Sequence, residues 1–180
     1  MVKKIVVIGP ESTGKSTLCT QLASHYQTNW CPEYAREYLL KNGTGYSFDD
    51  LAVIARGQLA LEENSIAKAR ETSPNGKNTR IFIDTDMYVM KVWCEFVFGQ
   101  CHDFILDEIA RRQYDLYLLC NIDLPWVKDE LREYPDLETR EKLFHFYKDL
   151  LSNQSTPWVI ISGDSNQRVQ MAIDAVEKYT

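Results

Sequence analysis

The residues best suited to chemistry stand close to the start of the chain, in the run Gly9-Pro10-Glu11-Ser12-Thr13-Gly14-Lys15-Ser16, followed by Thr17. Gly9, Gly14, Lys15 and Ser16 meet the spacing G-x-x-x-x-G-K-[ST]. Glycines at those places let backbone N–H groups turn inward around an anion, and a helix beginning there adds the positive end of its dipole. The lysine of such a loop reaches the β and γ phosphates of a nucleotide, and the hydroxyl that follows it ligates Mg2+. Gly9 to Thr17, with Glu11, Ser12 and Thr13 between, is therefore read as a cradle for ATP and Mg2+.

In an open parallel sheet a ligand lies beyond the carboxyl ends of the strands, so charged residues just after apolar runs carry the most weight. Ile81-Phe82-Ile83 leads into Asp84-Thr85-Asp86. Asp84 holds the place of a carboxylate that organises Mg2+, while Asp86 is placed either to cap the next helix or to meet the acceptor of a phosphoryl group. Pro32-Glu33-Tyr34-Ala35-Arg36-Glu37 follows a shorter run at Asn29-Trp30-Cys31. Glu33 and Arg36, three apart, share a face on a helix and can meet a hydroxylated substrate together; a surface ion pair is the plainer use of the same spacing. Either Glu33 or Asp86 is suited to orient an acceptor hydroxyl and take its proton. Residues 121–140 form a charged insertion containing two prolines, with the character of a lid. Arg132 and Arg140 are its candidate phosphate clamps, because a guanidinium grips phosphate oxygens as a rigid fork.

The elements that must position these residues are legible as alternating patterns. Ile5-Val6-Val7-Ile8, Ile81-Phe82-Ile83, Leu116-Tyr117-Leu118-Leu119-Cys120 and Trp158-Val159-Ile160-Ile161 are short, continuously apolar runs, with a weaker one at Asn29-Trp30-Cys31 that Pro32 ends. Such runs separated by helical stretches predict an α/β fold, with a five-stranded parallel sheet covered on both faces. Phe48 to Glu71 predicts a long helix with Leu51, Ile54, Ala55, Leu59 and Ile66 on one face, Gly57 as its weak point and Ser47-x-x-Asp50 as a capping box variant. Thr72 to Asn78 is read as a loop, and Asp164 or Ser165 as the cap of a final helix near the nucleotide base.

The 180 residues suffice for one domain, and no repeat or low-complexity segment divides them. With 26 Asp and Glu against 20 Lys and Arg, the net charge of -6 argues against nucleic acid as a partner. Cys19, Cys31, Cys94, Cys101 and Cys120 have no zinc-site spacing and read as reduced, mostly buried thiols. With no apolar stretch of signal or membrane length, the expected location is the cytoplasm, and no membrane partner is expected.

Taken together, GPESTGKSTL, PEYARE, FIDTD, D-x-P-W-V-x-D-x-L-R and TPWVIISGD resemble, in this order and spacing, the ribosylnicotinamide kinase domain of the bacterial NAD-biosynthesis regulator. The resemblance runs from about Lys3 to the last helix. It implies a P-loop fold like that of the nucleoside monophosphate kinases, and MgATP-dependent phosphorylation of the 5'-hydroxyl of ribosylnicotinamide. It implies that Glu33, Tyr34, Arg36 and Trp126 lie at the nucleoside pocket, and that Asp84 and Asp86 lie near the metal and the attacking hydroxyl. Arg132 and Arg140 would serve the lid. The family's Trp before EYxRE is here Pro32, with Trp30 two residues earlier. No H-x-G-H signature or leading helix-turn-helix pattern is present, so a kinase standing alone is the expectation. Two other classes are a nucleotide-dependent switch and a sensor with a degenerate site. The lack of an N-K-x-D guanine-reading segment counts against the first, and intact Lys15, Ser16 and Asp84 count against the second.

Overall fold

The chain is described by a computed structural model covering residues 2–72 and 79–180. The elements run β1 (Lys3–Ile8), α1 (Lys15–His25), β2 (Trp30–Cys31), α2 (Tyr34–Asn42), α3 (Phe48–Thr72), β3 (Arg80–Asp84), α4 (Met87–Phe98), α5 (Asp103–Arg111), β4 (Leu116–Cys120), α6 (Leu137–Ser152), β5 (Trp158–Ile161) and α7 (Ser165–Tyr179). The strands form one parallel sheet in the order β2-β3-β1-β4-β5. All five apolar runs of the sequence are strands of this sheet. The loop read at 72–78 lies, beyond Thr72, outside the described residues.

Alternate residues of each central strand feed opposite faces, which is why the runs show no polar alternation. Ile5, Val7, Phe82, Leu116 and Leu118 pack with Leu18, Leu22 and Val176 of α1 and α7. Val6, Ile8, Ile81, Ile83 and Leu119 meet Val89 and Val92 of α4 and Leu143 and Tyr147 of α6 on the other face. A third cluster, built on Ala35, Leu51, Ile54, Met87, Met90 and Ile105, joins α2, α3, α4 and α5 beside the sheet.

The long helix α3 begins as its sequence suggests: the Ser47 N–H donates to Asp50 Oδ2 at 2.7 Å, and the Asp50 N–H to Ser47 Oγ at 3.3 Å. Gly57 is no accident of weak helix propensity. A Cβ there would stand 2.1 Å from the Tyr34 ring, so the glycine lets the start of α2 lie directly on α3. The segment from Asn121 to Asp136 has no regular secondary structure, and Arg140 falls in the first turn of α6. Asp164 caps α7 in a full capping box with Gln167.

Candidate active site

The cradle is built by backbone conformations that its sequence anticipates. Gly9 has φ 142° and Gly14, at the N-terminus of α1, has φ 77°. A Cβ on Gly9 would come within 2.8 Å of the Cys120 carbonyl, so the close approach of β1 and β4 ends also demands glycine. Thr13 is buried and ties the loop with its hydroxyl to the Pro10 carbonyl at 2.7 Å, and Lys15 Nζ donates to the same carbonyl at 3.0 Å. Ser16 Oγ donates to Asp84 Oδ2 at 2.5 Å, joining the start of α1 to the end of β3.

These residues open on a cavity of about 500 Å³. Gly9, Glu11, Ser12, Gly14, Lys15, Ser16 and Thr17 form one end of its lining. Glu33 and Arg36 line it from the β2–α2 side, and Trp30 and Pro32 stand beside them. The rest of its lining is largely aromatic and apolar: Trp93 and Phe96 of α4, Tyr147 of α6, and Tyr134 of the lid. Asp129, Arg132 and Glu133 close it from above.

Glu33 and Asp84 form a closely interacting pair. Burial raises the proton affinity of Glu33, the nearby Asp84 charge raises it further, and Lys15, the Thr85 hydroxyl and Arg36 oppose the rise. Burial likewise raises that of Asp84, against Lys15 and the hydroxyls of Ser16 and Thr85. The Thr85 hydroxyl lies 3.5 Å from Asp84 Oδ1 and also eases the charge of Glu33. Thr85 holds a left-handed backbone, φ 77°, costly for a β-branched residue.

Asp86 is used otherwise. Oδ1 accepts the N–H groups of Tyr88 and Val89 and caps α4, while Oδ2 accepts the Tyr117 hydroxyl at 2.8 Å. It is buried and lies outside the cavity lining. Burial lifts its pKa to about 7, against those three hydrogen bonds. Thr13, Asp84 and Arg140 are also buried off the lining. Tyr34, which packs across Gly57, and Trp126, whose Nε1 donates to Glu11 Oε1 at 3.2 Å, lie off it too.

Glu11 turns its carboxylate to the lid. Besides Trp126 it accepts the N–H groups of Glu133 at 2.9 Å and Tyr134 at 2.6 Å, and Ser12 Oγ accepts that of Val127 at 2.9 Å. Arg36 reaches Asp129 with two hydrogen bonds, at 3.2 and 3.1 Å. Arg132 donates to the Val127 carbonyl and lines the cavity. Arg140 is 4 % exposed beneath the lid, 3.5 Å from the Leu124 carbonyl, with its Nε unpartnered.

Reading by motif missed the aromatic wall, Thr85 and Arg168. The wall had a signal: Val89, Val92, Trp93 and Phe96 recur at i, i+3, i+4 and i+7, one face of a helix directed at the ligand. Arg168, buried on α7, bonds the carbonyls of Thr13, Asn121 and Gly163 and pairs with Asp123, and had no sequence signal.

A parallel sheet ordered 2-3-1-4-5, with a phosphate cradle after β1, a carboxylate ending β3 and an irregular segment folded over both, defines a P-loop NTPase of the nucleoside-monophosphate-kinase type. The chain belongs to the AAA domain family, whose AAA_28 model matches residues 4–168. It is 26 % identical over 182 residues to the trifunctional NAD biosynthesis/regulator protein NadR of Escherichia coli K12, covering 98 % of this chain and 42 % of that protein. Two crystal structures of a NadR protein superpose on it at 28 % identity. The complex with NR has a TM-score of 0.79, covering 99 % of this chain and 50 % of the other. The complex with NAD and AMP-PNP has a TM-score of 0.74, covering 99 % and 49 %. Thymidylate kinase from Ehrlichia chaffeensis, 13 % identical, shares the fold at a TM-score of 0.68 over 96 % of this chain and 97 % of that one. The resemblance to NadR seen in the motifs thus extends over nearly the whole chain, which spans less than half the length of the curated relative it matches. Among the described residues no helix is long and apolar enough to cross a membrane, and the five cysteines are free thiols.

Proposed function

We propose that this chain is an ATP-dependent kinase that phosphorylates the 5'-hydroxyl of ribosylnicotinamide, giving nicotinamide mononucleotide. The observation that carries the reading is that Lys15, Ser16 and Glu33 line one cavity together with aromatic side chains, with the buried Asp84 bonded to Ser16 just behind that lining. The 28 % identical NadR structure holding NR supports the acceptor, and the one holding AMP-PNP supports the donor. A positively charged pyridinium ring suits a wall of Trp93, Phe96 and Tyr134 with Asp129 and Glu133 close by.

Ser16 and Asp84 supply a hydroxyl and a carboxylate in direct contact, the hard oxygen donors that Mg2+ takes, and bound phosphates would complete such a site. Bound there, Mg2+ would neutralise charge on the transferring phosphoryl. Lys15 binds the same phosphates, and Arg132 brings a further cation from the lid. Glu33 orients the acceptor hydroxyl. As that oxygen bonds to the γ-phosphorus and the bond to the ADP oxygen breaks, Glu33 takes the hydroxyl proton. Burial gives Glu33 a higher proton affinity than a solvent-exposed glutamate, the direction that suits a proton acceptor.

The test is a panel of nucleosides and small alcohols incubated with MgATP, scored for ADP release and for phosphorylated product by 31P NMR. Ribosylnicotinamide is expected to give the 5'-monophosphate. ADP release indifferent to every acceptor would instead support a nucleotide switch, and turnover of another nucleoside would relocate the substrate within the same class.

A further inference from the structure

Gln58 stands in the middle of α3, 1 % exposed, at the place where the ends of two strands meet. Its Oε1 accepts the Tyr34 N–H at 2.7 Å. Its Nε2 faces the carbonyls of Thr85 at 3.1 Å, Asp84 at 3.3 Å and Pro32 at 3.4 Å, with Cys31 Sγ at 3.6 Å. The partners fix the amide's orientation, since one end meets an N–H and the other meets carbonyl oxygens. A buried amide has a high cost unless its polar atoms are satisfied, and here every partner but the Cys31 sulfur is main chain beside a site residue.

Among the described residues, no other side chain hydrogen-bonds the backbone at both strand ends. Beyond Cys31 the β2–β3 ladder has ended, so no strand pairing sets Glu33 relative to Asp84. Glu33 lies between the two residues that Gln58 holds on the α2 side, Pro32 and Tyr34. Thr85, in its left-handed backbone, is held by its carbonyl, and its hydroxyl faces the Asp84 carboxylate. Gly57, the preceding residue, admits the Tyr34 ring against the helix and so brings the start of α2 within reach of the amide.

We propose that Gln58 is a positioning residue of the active site: its amide ties the turn after β3 to the start of α2, and so sets the Glu33 carboxylate at its working distance from Asp84 and Lys15. The proposal rests on the reading of Glu33 as the acceptor-side base. Gln58 touches no substrate itself. Misplacing a reacting group by about 1 Å is enough to cost about 10²-fold in rate, while the cradle, built on β1 and α1, is left as it was.

The variant Gln58→Met keeps the volume and removes both hydrogen-bonding ends, and Gln58→Asn keeps the amide and shortens its reach, so a folded form of either serves the test. Two measurements are made: kcat and KM for ATP with ribosylnicotinamide, and amide hydrogen exchange at Tyr34, whose N–H has Gln58 as its acceptor. A kcat lowered about 10- to 100-fold, with KM for ATP within about threefold of the parent and protection lost at Tyr34 but not in β1 or β4, is the result expected. Wild-type kcat in a folded variant, or kcat and ATP binding falling together with global protection, overturns it. An inactive parent chain would defeat the assigned reaction and not the tie. Exchange then decides the tie alone: loss of protection confined to Tyr34 upholds it, and unchanged protection sinks it.

Discussion

At the scale of single residues, the proposed reaction separates Lys15 from its neighbours by the charge it would place on the transferring phosphoryl. Lys15→Ala is expected to leave a folded protein with phosphotransfer reduced at least about 10²-fold, because the lost cation acts on charge that develops in the transition state. Near-normal turnover by the purified variant would remove the cradle from the mechanism. Three carboxylates follow strand ends, and their surroundings give them different work. Glu33→Gln should lower kcat by about 10² to 10⁴ with ATP affinity intact, while Asp86→Asn should keep most activity, since Asp86 serves α4 and Tyr117. The reverse ranking would transfer the acceptor role to Asp86. Asp86 also makes a signed prediction about stability. With its pKa lifted from 3.8 to about 7 in the folded state, the native form binds the proton more tightly than the unfolded chain. The stability so gained is complete below about pH 4 and is lost as pH rises through about 7. Urea unfolding at pH 5 and pH 8 should show the wild type losing more stability than Asp86→Asn over that interval. An identical loss in both would mean that the carboxyl titrates normally.

At the scale of elements, the lid is held to the cradle by the cradle's own side chains. Glu11 collects the N–H groups of Glu133 and Tyr134 and the Trp126 indole, so removing its carboxylate should release the segment that carries Arg132. Glu11→Ala is expected to speed amide exchange at Glu133 and Tyr134 and to lower kcat, with β1 protection unchanged. Unaltered exchange at those two amides would show that Glu11 does not hold the lid. Arg132→Ala should lower kcat more than it weakens ATP binding, because a closing cation matters most while the phosphoryl is in transfer. A rise in KM for ATP alone would make Arg132 a ground-state clamp. The strands and the cradle were legible because each rests on local rules: an apolar run, a glycine where the backbone turns, a cap beside its helix. The aromatic wall was legible in principle, through the helical recurrence from Val89 to Phe96. Gln58 was not, because a glutamine in an amphipathic helix looks the same in sequence whether it faces water or ties two strand ends. Its meaning arises only when α3 is laid across the termini of β2 and β3.

At the scale of the whole molecule, the side of the sheet carrying β4 and β5 must stay in register with the cradle, and Arg168 is the residue that reaches all three. Its Nε donates to the Gly163 carbonyl at 2.8 Å, Nη1 to the Thr13 carbonyl at 3.0 Å, and Nη2 to the Asn121 carbonyl at 3.0 Å, beside its pairing with Asp123. Thr13 belongs to the cradle, Asn121 follows β4 and Gly163 follows β5. Arginine suits this place because its planar fork satisfies several fixed acceptors at once, whereas a lysine ammonium would have to choose among them. Arg168→Met fills the volume but leaves three carbonyls without their donor and Asp123 with the Gly163 N–H but no cation. Each such loss carries a desolvation penalty, so a destabilisation of about 2 to 4 kcal/mol is expected. In a domain of this length that corresponds to a fall of about 5 to 15 °C in Tm. Because Thr13 is one of the tied groups, KM for ATP should rise in the same variant, and saturating MgATP should recover part of the lost Tm by binding the folded form. Arg168→Lys should fall between the two, keeping the pairing with Asp123 while losing most of the carbonyl contacts. A Tm within about 2 °C of the wild type in Arg168→Met, less than 1 kcal/mol would produce, would mean that strand pairing alone keeps β4 and β5 in register with the cradle.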